Sequence, residues 1–126
     1  MVKYRIPVVP YEWTEDDAGP PNRPPYETCI PDTKLTALAA KLWDTYFERI
    51  VSSPIVYWTN MERGIEAQGS TFRRGIVVQK KTYLSVKGSK RRRWLLDLIK
   101  HELLHWAGYG HGPVFLKYIK FMGGDY

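Results

Sequence analysis

The feature that most constrains the fold is a run of mostly apolar residues, 94–106, that also contains two histidines and a glutamate. The clearly polar positions beside and within this run recur three or four residues apart, as along one strip of a helix. They are Arg93, Asp97 and Lys100. The pattern predicts a largely buried helix from about Lys90 to Ala107, because Gly108 and Gly110 are natural helix stop signals.

Two further helices are predicted, one on each side of this segment. Asp32 and Thr33 are suitable N-cap residues for an amphipathic helix that covers about residues 33–51. A short helix is expected after Pro113, with apolar residues on one face. These residues are Phe115, Tyr118, Ile119 and Met122.

Three runs between the first two helices are rich in β-branched and aromatic residues, and glycine and charged residues separate them. They are Ile55–Trp58, Thr71–Val78 and Thr82–Val86. We expect them to form a small, mainly antiparallel sheet. The predicted fold class is therefore α+β, in the order helix, sheet, helix, helix.

The chain of 126 residues has a length typical of one domain. Residues 1–31 contain 7 of its 9 prolines, which block helix interiors and remove backbone donors. We expect an irregular, proline-rich arm over residues 1–31 and a single domain over residues 32–126.

Neither a membrane span nor a signal peptide is expected from the sequence. No run approaches the ~20 consecutive apolar residues of a spanning helix, and the first residues lack the apolar stretch of a signal peptide. The single cysteine, Cys29, excludes an internal disulfide. These observations predict a cytoplasmic protein without a membrane partner.

Two histidines lie four residues apart in the predicted helix, so that at ~3.6 residues per turn His101 and His105 share one face. Catalytic zinc sites usually have three protein ligands and one position open for water. His111 follows a glycine turn and is close enough in sequence to fold back as the third ligand. All 3 histidines of the chain lie in this segment, which favours a metal site over a chance helix fragment.

Glu102 directly follows the first of these histidines. A carboxylate in this position can take a proton from a metal-bound water while the metal polarises a peptide carbonyl. The residues predict one Zn²⁺ ion bound by His101, His105 and His111, with Glu102 as the general base of peptide hydrolysis.

The segments 101–105 and 111–115 read His-Glu-Leu-Leu-His and His-Gly-Pro-Val-Phe. This pair of motifs resembles the SprT-like zinc metallopeptidases, which include the Spartan proteases, over roughly residues 71–122. The resemblance implies a minimal zincin-like metalloendopeptidase domain, with the three histidines as zinc ligands and Glu102 as catalytic base. It also implies a strand beside the cleft that pairs with an extended protein or peptide substrate. Many members carry a cysteine-rich zinc ribbon, which a chain with 1 cysteine cannot build.

Three alternatives remain open at the level of sequence. Residues 101–111 also fit the metzincin pattern His-Glu-x-x-His-x-x-Gly-x-x-His, with Met122 as its methionine turn. They resemble the YbeY-like metal-dependent endoribonucleases too, but Glu102 and Gly110 stand where that signature has glycine and aspartate. A zinc-stabilised nucleic-acid-binding module without catalysis is the third alternative. A carboxylate at position 102 favours peptide hydrolysis among these functions.

A basic cluster precedes the two histidines and begins the same predicted helix. Its members are Lys87, Lys90, Arg91, Arg92 and Arg93, and Arg73, Arg74, Lys80 and Lys81 could extend it. Together with a formal net charge of +6, the cluster predicts contacts with the phosphates of DNA or RNA. The alternative is a solvent-exposed helix start without a partner.

Two single residues are further candidates for roles at the metal. The thiolate of Cys29 could occupy the open zinc position and keep the enzyme latent, although a lone cysteine is more often a small buried apolar residue. Tyr109 is a candidate donor to the oxyanion that forms during peptide hydrolysis. Ordinary packing is the alternative role for this tyrosine.

Overall fold

The computed structural model describes residues 4–9, 29–48, 51–59, 69–72 and 75–124. Four α-helices and one four-stranded mixed sheet make up this part of the chain, which confirms the predicted α+β class. None of the helices in these ranges combines the length and the apolar character needed to cross a membrane.

The elements follow one another along the chain as a strand, a helix, three strands and three helices. They are β1 (Cys29–Pro31), α1 (Thr33–Tyr46), β2 (Ile55–Thr59), β3 (Gly69–Phe72), β4 (Gly75–Gln79), α2 (Lys80–Ser85), α3 (Arg91–Trp106) and α4 (Pro113–Phe121). A single 3-10 turn, Gly88–Lys90, leads into α3.

The sheet has the strand order β1-β2-β4-β3. Its outer pairs, β1 with β2 and β3 with β4, are antiparallel as predicted, whereas the central pair β2 and β4 is parallel. Gly75 begins β4 with φ 146°, and a Cβ there would lie 2.1 Å from the Ile55 carbonyl oxygen. Glycine is therefore required for β4 to approach β2 this closely.

Helices α1 and α3 lie side by side against the sheet. Helix α1 contacts β2, and α3 contacts β3 and β4. The two helices also contact each other, and α4 packs against α3. Ile76 and Val78 of β4 pack into the core cluster together with Leu103 and Leu104 of α3, and all four are fully buried. Met122 also lies in this core at the end of α4, which confirms the predicted helical form of the tail.

Helix α1 ends at Tyr46, five residues before the predicted end at residue 51. Phe47 adopts an extended conformation and forms a parallel bridge with Ile6. The Ile6 N–H donates to the Tyr46 carbonyl at 2.7 Å, and the Glu48 N–H donates to the Ile6 carbonyl at 3.0 Å. The chain near the N-terminus thus provides the backbone partners that replace a further helical turn.

The prediction of a strand over residues 82–86 is wrong, because helix α2 occupies residues 80–85. The Tyr83 ring lies between Trp58 and Trp94, with centroid distances of 4.9 and 5.9 Å. Arg91 donates to the carbonyls of Leu84 and Val86, both at 3.0 Å, and so satisfies acceptors near the end of the helix. These tertiary contacts outweigh the β propensity of the segment.

The single predicted run Thr71–Val78 forms two strands rather than one. Strand β3 ends at Phe72 and β4 begins at Gly75, and these two residues face each other in the antiparallel pair. Arg73 and Arg74 lie between the strands and outside the described residues.

Candidate metal centre

Helix α3 places two of the three histidines on one face, as the sequence predicts. No residue from Trp94 to Trp106 is exposed, so the helix is embedded in the domain. The rings of His101 and His105 are one turn apart, with centroids 5.0 Å from each other. A packed helix holds such side chains in a fixed orientation, which a metal site requires.

The third histidine folds back onto this pair from the connection between α3 and α4. The Nε2 atom of His111 lies 3.0 Å from Nε2 of His101 and 3.1 Å from Nε2 of His105. All three candidate ligand atoms lie within 4.8 Å of one another, so these residues could hold a metal ion.

The distances from Nε2 of His111 to Nε2 of His101 and of His105 are compatible with ligands of one tetrahedral ion. Two Zn–N bonds of ~2.0–2.1 Å at a tetrahedral angle place their nitrogens about 3.3–3.4 Å apart. The observed 3.0 and 3.1 Å are close to that value and need only small ring movements. The geometry therefore suits three imidazole ligands on one ion.

The tautomer of His105 is fixed by its other ring nitrogen. His105 Nδ1 lies 2.8 Å from the carbonyl oxygen of Tyr109, and since a carbonyl only accepts, Nδ1 carries the proton. Nε2 of His105 is then left with its lone pair toward His111. This arrangement matches the outer hydrogen bond that orients most metal-binding histidines.

Burial favours the neutral form of the two helix histidines. Burial is the largest cause that lowers the pKa of His101 to about 4, and the adjacent imidazoles of His105 and His111 act in the same direction. Burial also lowers the pKa of His105, although its hydrogen bond to Tyr109 opposes that change. A neutral imidazole is the form that binds a metal ion.

Phe115 of α4 forms one wall of the site. Its side chain is fully buried, and its ring centroid lies 4.7, 5.0 and 5.2 Å from those of His101, His105 and His111. The phenyl ring restricts the rotation of all three imidazoles. Because Pro113 starts α4 two residues after His111, the same helix carries the wall and fixes the end of the loop.

Glu102 is 4% exposed and is the one acidic side chain in the buried class among the described residues. An ionised carboxylate is costly to bury unless it has a partner or a function. Glu102 follows His101 directly in α3, so the helix fixes its backbone next to the first histidine.

The basic cluster divides into two groups. Arg91 donates hydrogen bonds to carbonyls near the end of α2. Arg93 donates to Asp97 and to the Gly123 carbonyl, both at 3.1 Å. Lys87, Lys90 and Arg92 are exposed. Two of the five cations thus have structural partners, and phosphate binding by the cluster stays a prediction.

The two remaining candidates are placed differently. The Tyr109 hydroxyl donates to the Pro7 carbonyl at 2.6 Å, so its single proton is engaged there, and an oxyanion role stays a prediction. The backbone of Cys29 belongs to β1, but its side chain lies outside the described residues, as do Arg73 and Arg74.

Sequence reasoning missed the contributions of backbone atoms to the site. The carbonyl of Tyr109 accepts from His105, and the carbonyl of Pro7 accepts from the Tyr109 hydroxyl. Both acceptors are backbone atoms, so neither hydrogen bond requires a particular side chain at the accepting residue. The four-residue interval from His105 to Tyr109 is the one signal that could have pointed to the first contact.

Comparison of the chain with protein-family models, with curated proteins and with solved structures gives no match. The assignment of a function therefore depends on the geometry of the site itself.

Proposed function

We propose that the protein is a zinc-dependent metalloendopeptidase of the kind that the SprT-like resemblance implies. The observation that carries the proposal is the convergence of His101, His105 and His111, in which Nε2 of His111 lies 3.0 and 3.1 Å from Nε2 of the other two. The next residue after His101 in α3 is the buried Glu102. Three nitrogen ligands leave one coordination position for water, as in catalytic rather than structural zinc sites.

Zinc is the ion that this ligand set suits best among abundant intracellular metals. Imidazole nitrogens also bind copper, iron and nickel, whereas magnesium and calcium prefer oxygen ligands. Measurement of the metal content of the purified protein tests this choice directly.

When bound, the ion lowers the pKa of its water and polarises the substrate carbonyl. Glu102 would accept a proton from the attacking water as a general base and would then deliver it to the leaving amine as a general acid. His105, fixed by the Tyr109 carbonyl, keeps its Nε2 lone pair available as a ligand. The buried helix provides the rigid frame that this chemistry requires.

The proposed partner is a protein or peptide substrate. The exposed cations Lys87, Lys90 and Arg92 support an additional contact with DNA or RNA, because three lysine or arginine side chains close in sequence attract phosphates. A cytoplasmic location is part of the same proposal.

The decisive experiment compares the wild-type protein with Glu102→Gln on a denatured protein and on a structured RNA, after zinc content is confirmed. We expect the variant to bind zinc normally and to lose at least about a hundredfold of proteolysis, because general-base catalysis contributes ~10²–10⁴-fold. Removal of zinc with a chelator should abolish proteolysis, and added zinc should restore it.

A matched control is Asp44→Asn, which makes the same type of change on the exposed face of α1 and should leave proteolysis unchanged. RNA cleavage that survives in Glu102→Gln, with no proteolysis by either form, would instead support the endoribonuclease. Zinc binding without either activity would support a zinc-stabilised binding module.

A further inference from the structure

The N-terminal segment contacts the loop that connects the second and third histidines. The Tyr109 hydroxyl donates to the Pro7 carbonyl at 2.6 Å, across 102 positions of sequence. The Val9 N–H donates to the Ala107 carbonyl at 2.7 Å. Two hydrogen bonds thus join residues 7–9 to residues 107–109, immediately after the second histidine.

Gly108 allows this contact to be as close as it is. Its φ is +101°, a conformation that favours glycine, and a Cβ there would lie 2.6 Å from the Val9 oxygen and 2.9 Å from the Val9 Cβ. Any side chain at position 108 would therefore displace the N-terminal segment as well as strain the loop. Glycine at position 108 therefore permits both the close approach of Val9 and the backbone conformation at the end of α3.

The position of this loop affects the orientation of two of the three histidines, His105 and His111. The Tyr109 carbonyl accepts from His105 Nδ1 at 2.8 Å, so a shift of Tyr109 changes the orientation of that imidazole. The third histidine, His111, is two residues further along the same loop. The N-terminal segment, the loop and the ligands are consequently linked by consecutive contacts.

The segment that contacts the loop is itself anchored in the domain. Ile6 is fully buried and bridges to Phe47. The Val8 N–H donates to Oε1 of Glu48 at 3.1 Å. Residues 7–9 are therefore held from the α1 side and can act as a fixed support for the loop.

We propose that residues 7–9 form a clamp that sets the position of the metal-binding loop, and that Tyr109 is a positioning residue within it. The clamp acts by fixing the Tyr109 carbonyl behind His105 and by limiting the movement of His111. This proposal rests on the metal centre of the proposed function but not on peptidase activity.

The test is Tyr109→Phe in the full chain, compared with Tyr4→Phe. The first change removes a hydroxyl that binds both the Pro7 carbonyl and Tyr118, and the second removes a hydroxyl that lies 3.0 Å from that of Tyr118. The contact with Tyr118 is therefore common to both tyrosines, and the contact with Pro7 belongs to Tyr109. Both are single-oxygen deletions of a tyrosine, and Tyr4 belongs to the same N-terminal segment. Zinc affinity is measured by competition with a chromogenic chelator, and ligand geometry by the absorption spectrum of the Co²⁺-substituted protein.

We expect Tyr109→Phe to weaken zinc binding about tenfold, at the lower end of the range for changes to outer contacts of metal ligands. Its Co²⁺ spectrum should differ from that of the wild type, whereas Tyr4→Phe should leave both the affinity and the spectrum unchanged. Urea unfolding of the metal-free proteins shows whether both variants lose similar stability, so that a general loss of stability is separated from a positioning effect.

Gly108→Ala provides a second route to the same contact and should weaken zinc binding at least as much. Zinc affinities of both loop variants within twofold of the wild type would overturn the clamp and leave the peptidase proposal intact. Failure of the wild type itself to bind zinc would overturn both proposals. A clamp effect on zinc binding in a protein without proteolysis would contradict the proposed function alone.

Discussion

At the scale of single residues, burial favours the neutral form of His101 and His105, because it lowers the pKa of both imidazoles. Burial lowers the pKa of His101, and the nearby imidazoles of His105 and His111 lower it further. A histidine that is fully exposed to water has a pKa of ~6.5. The packed helix thus prepares a ligand that needs no deprotonation at neutral pH.

This state has a consequence for stability that can be measured without metal. The pKa of His101 falls from 6.5 to about 4 on folding, so between these values the unfolded chain binds more protons than the folded protein. The free energy of unfolding of the metal-free protein should therefore rise with pH across this window and fall as the solution is acidified. Urea unfolding at a series of pH values measures this slope.

His101→Gln is the control for this pH dependence, because it removes the titrating group and keeps a polar side chain. The slope of the unfolding free energy against pH should become shallower in the variant. An unchanged slope would show that other groups are responsible.

At the scale of elements, Asp32 joins the start of α1 to the sheet. One oxygen of its carboxylate accepts from the Leu35 N–H at 2.8 Å as an N-cap, and the other accepts from the Trp58 indole at 2.7 Å. The hydrogen bond from Leu35 is the largest cause that lowers the pKa of Asp32, and the bond from Trp58 acts in the same direction. The sequence predicted the cap but not the contact with β2.

Substitution of Asp32 should separate these two contacts. Asp32→Asn keeps one acceptor for the cap and replaces the other with an amide donor, whereas Asp32→Ala removes both. We expect stability to decrease in the order wild type, Asn, Ala, with Ala costing at least ~1 kcal/mol from loss of the cap. Equal stability of the wild type and Asp32→Asn at neutral pH would contradict a role for the Trp58 contact.

The elements also show where local sequence was a sufficient guide. Helix α3 lies within one residue of its predicted bounds at each end, and α4 begins at Pro113 as a short helix, as predicted. Glycine and proline residues mark the limits of both helices, and their apolar spacing is regular. Helix α2 was predicted as a strand because Thr82, Tyr83 and Val86 favour strands. Its form depends on Trp58, Trp94 and Arg91, contacts that no local window of sequence contains.

At the scale of the whole molecule, the N-terminal segment is part of the packed structure in residues 4–9. Ile6 is fully buried in the core cluster with Trp43 and Phe47, although it stands in a region whose composition predicts an irregular arm. The burial of Ile6 and the hydrogen bonds of residues 6–9 to Tyr46, Glu48, Ala107 and Tyr109 together offset the entropy lost on ordering this short piece of chain.

Ile6→Ala should accordingly destabilise the protein by ~2–5 kcal/mol, the usual cost of truncating a buried isoleucine. Ile55→Ala is the matched control, since Ile55 is 46% exposed in β2 and its truncation should cost less than about 1 kcal/mol. Chemical denaturation of the two variants measures the difference. A cost for Ile6→Ala no larger than that of Ile55→Ala would show that the segment is not part of the cooperative unit.

The sequence by itself determined the fold class, the two main helices and the face on which His101 and His105 lie, because helical periodicity and punctuation are local properties. It also nominated His111, since a glycine turn and five intervening residues leave little freedom. Tertiary structure decided how the loop that carries His111 is supported, where α1 ends and what form residues 80–85 take. Those outcomes depend on Pro7, Ile6 and Trp58, which meet their partners only after the chain has folded.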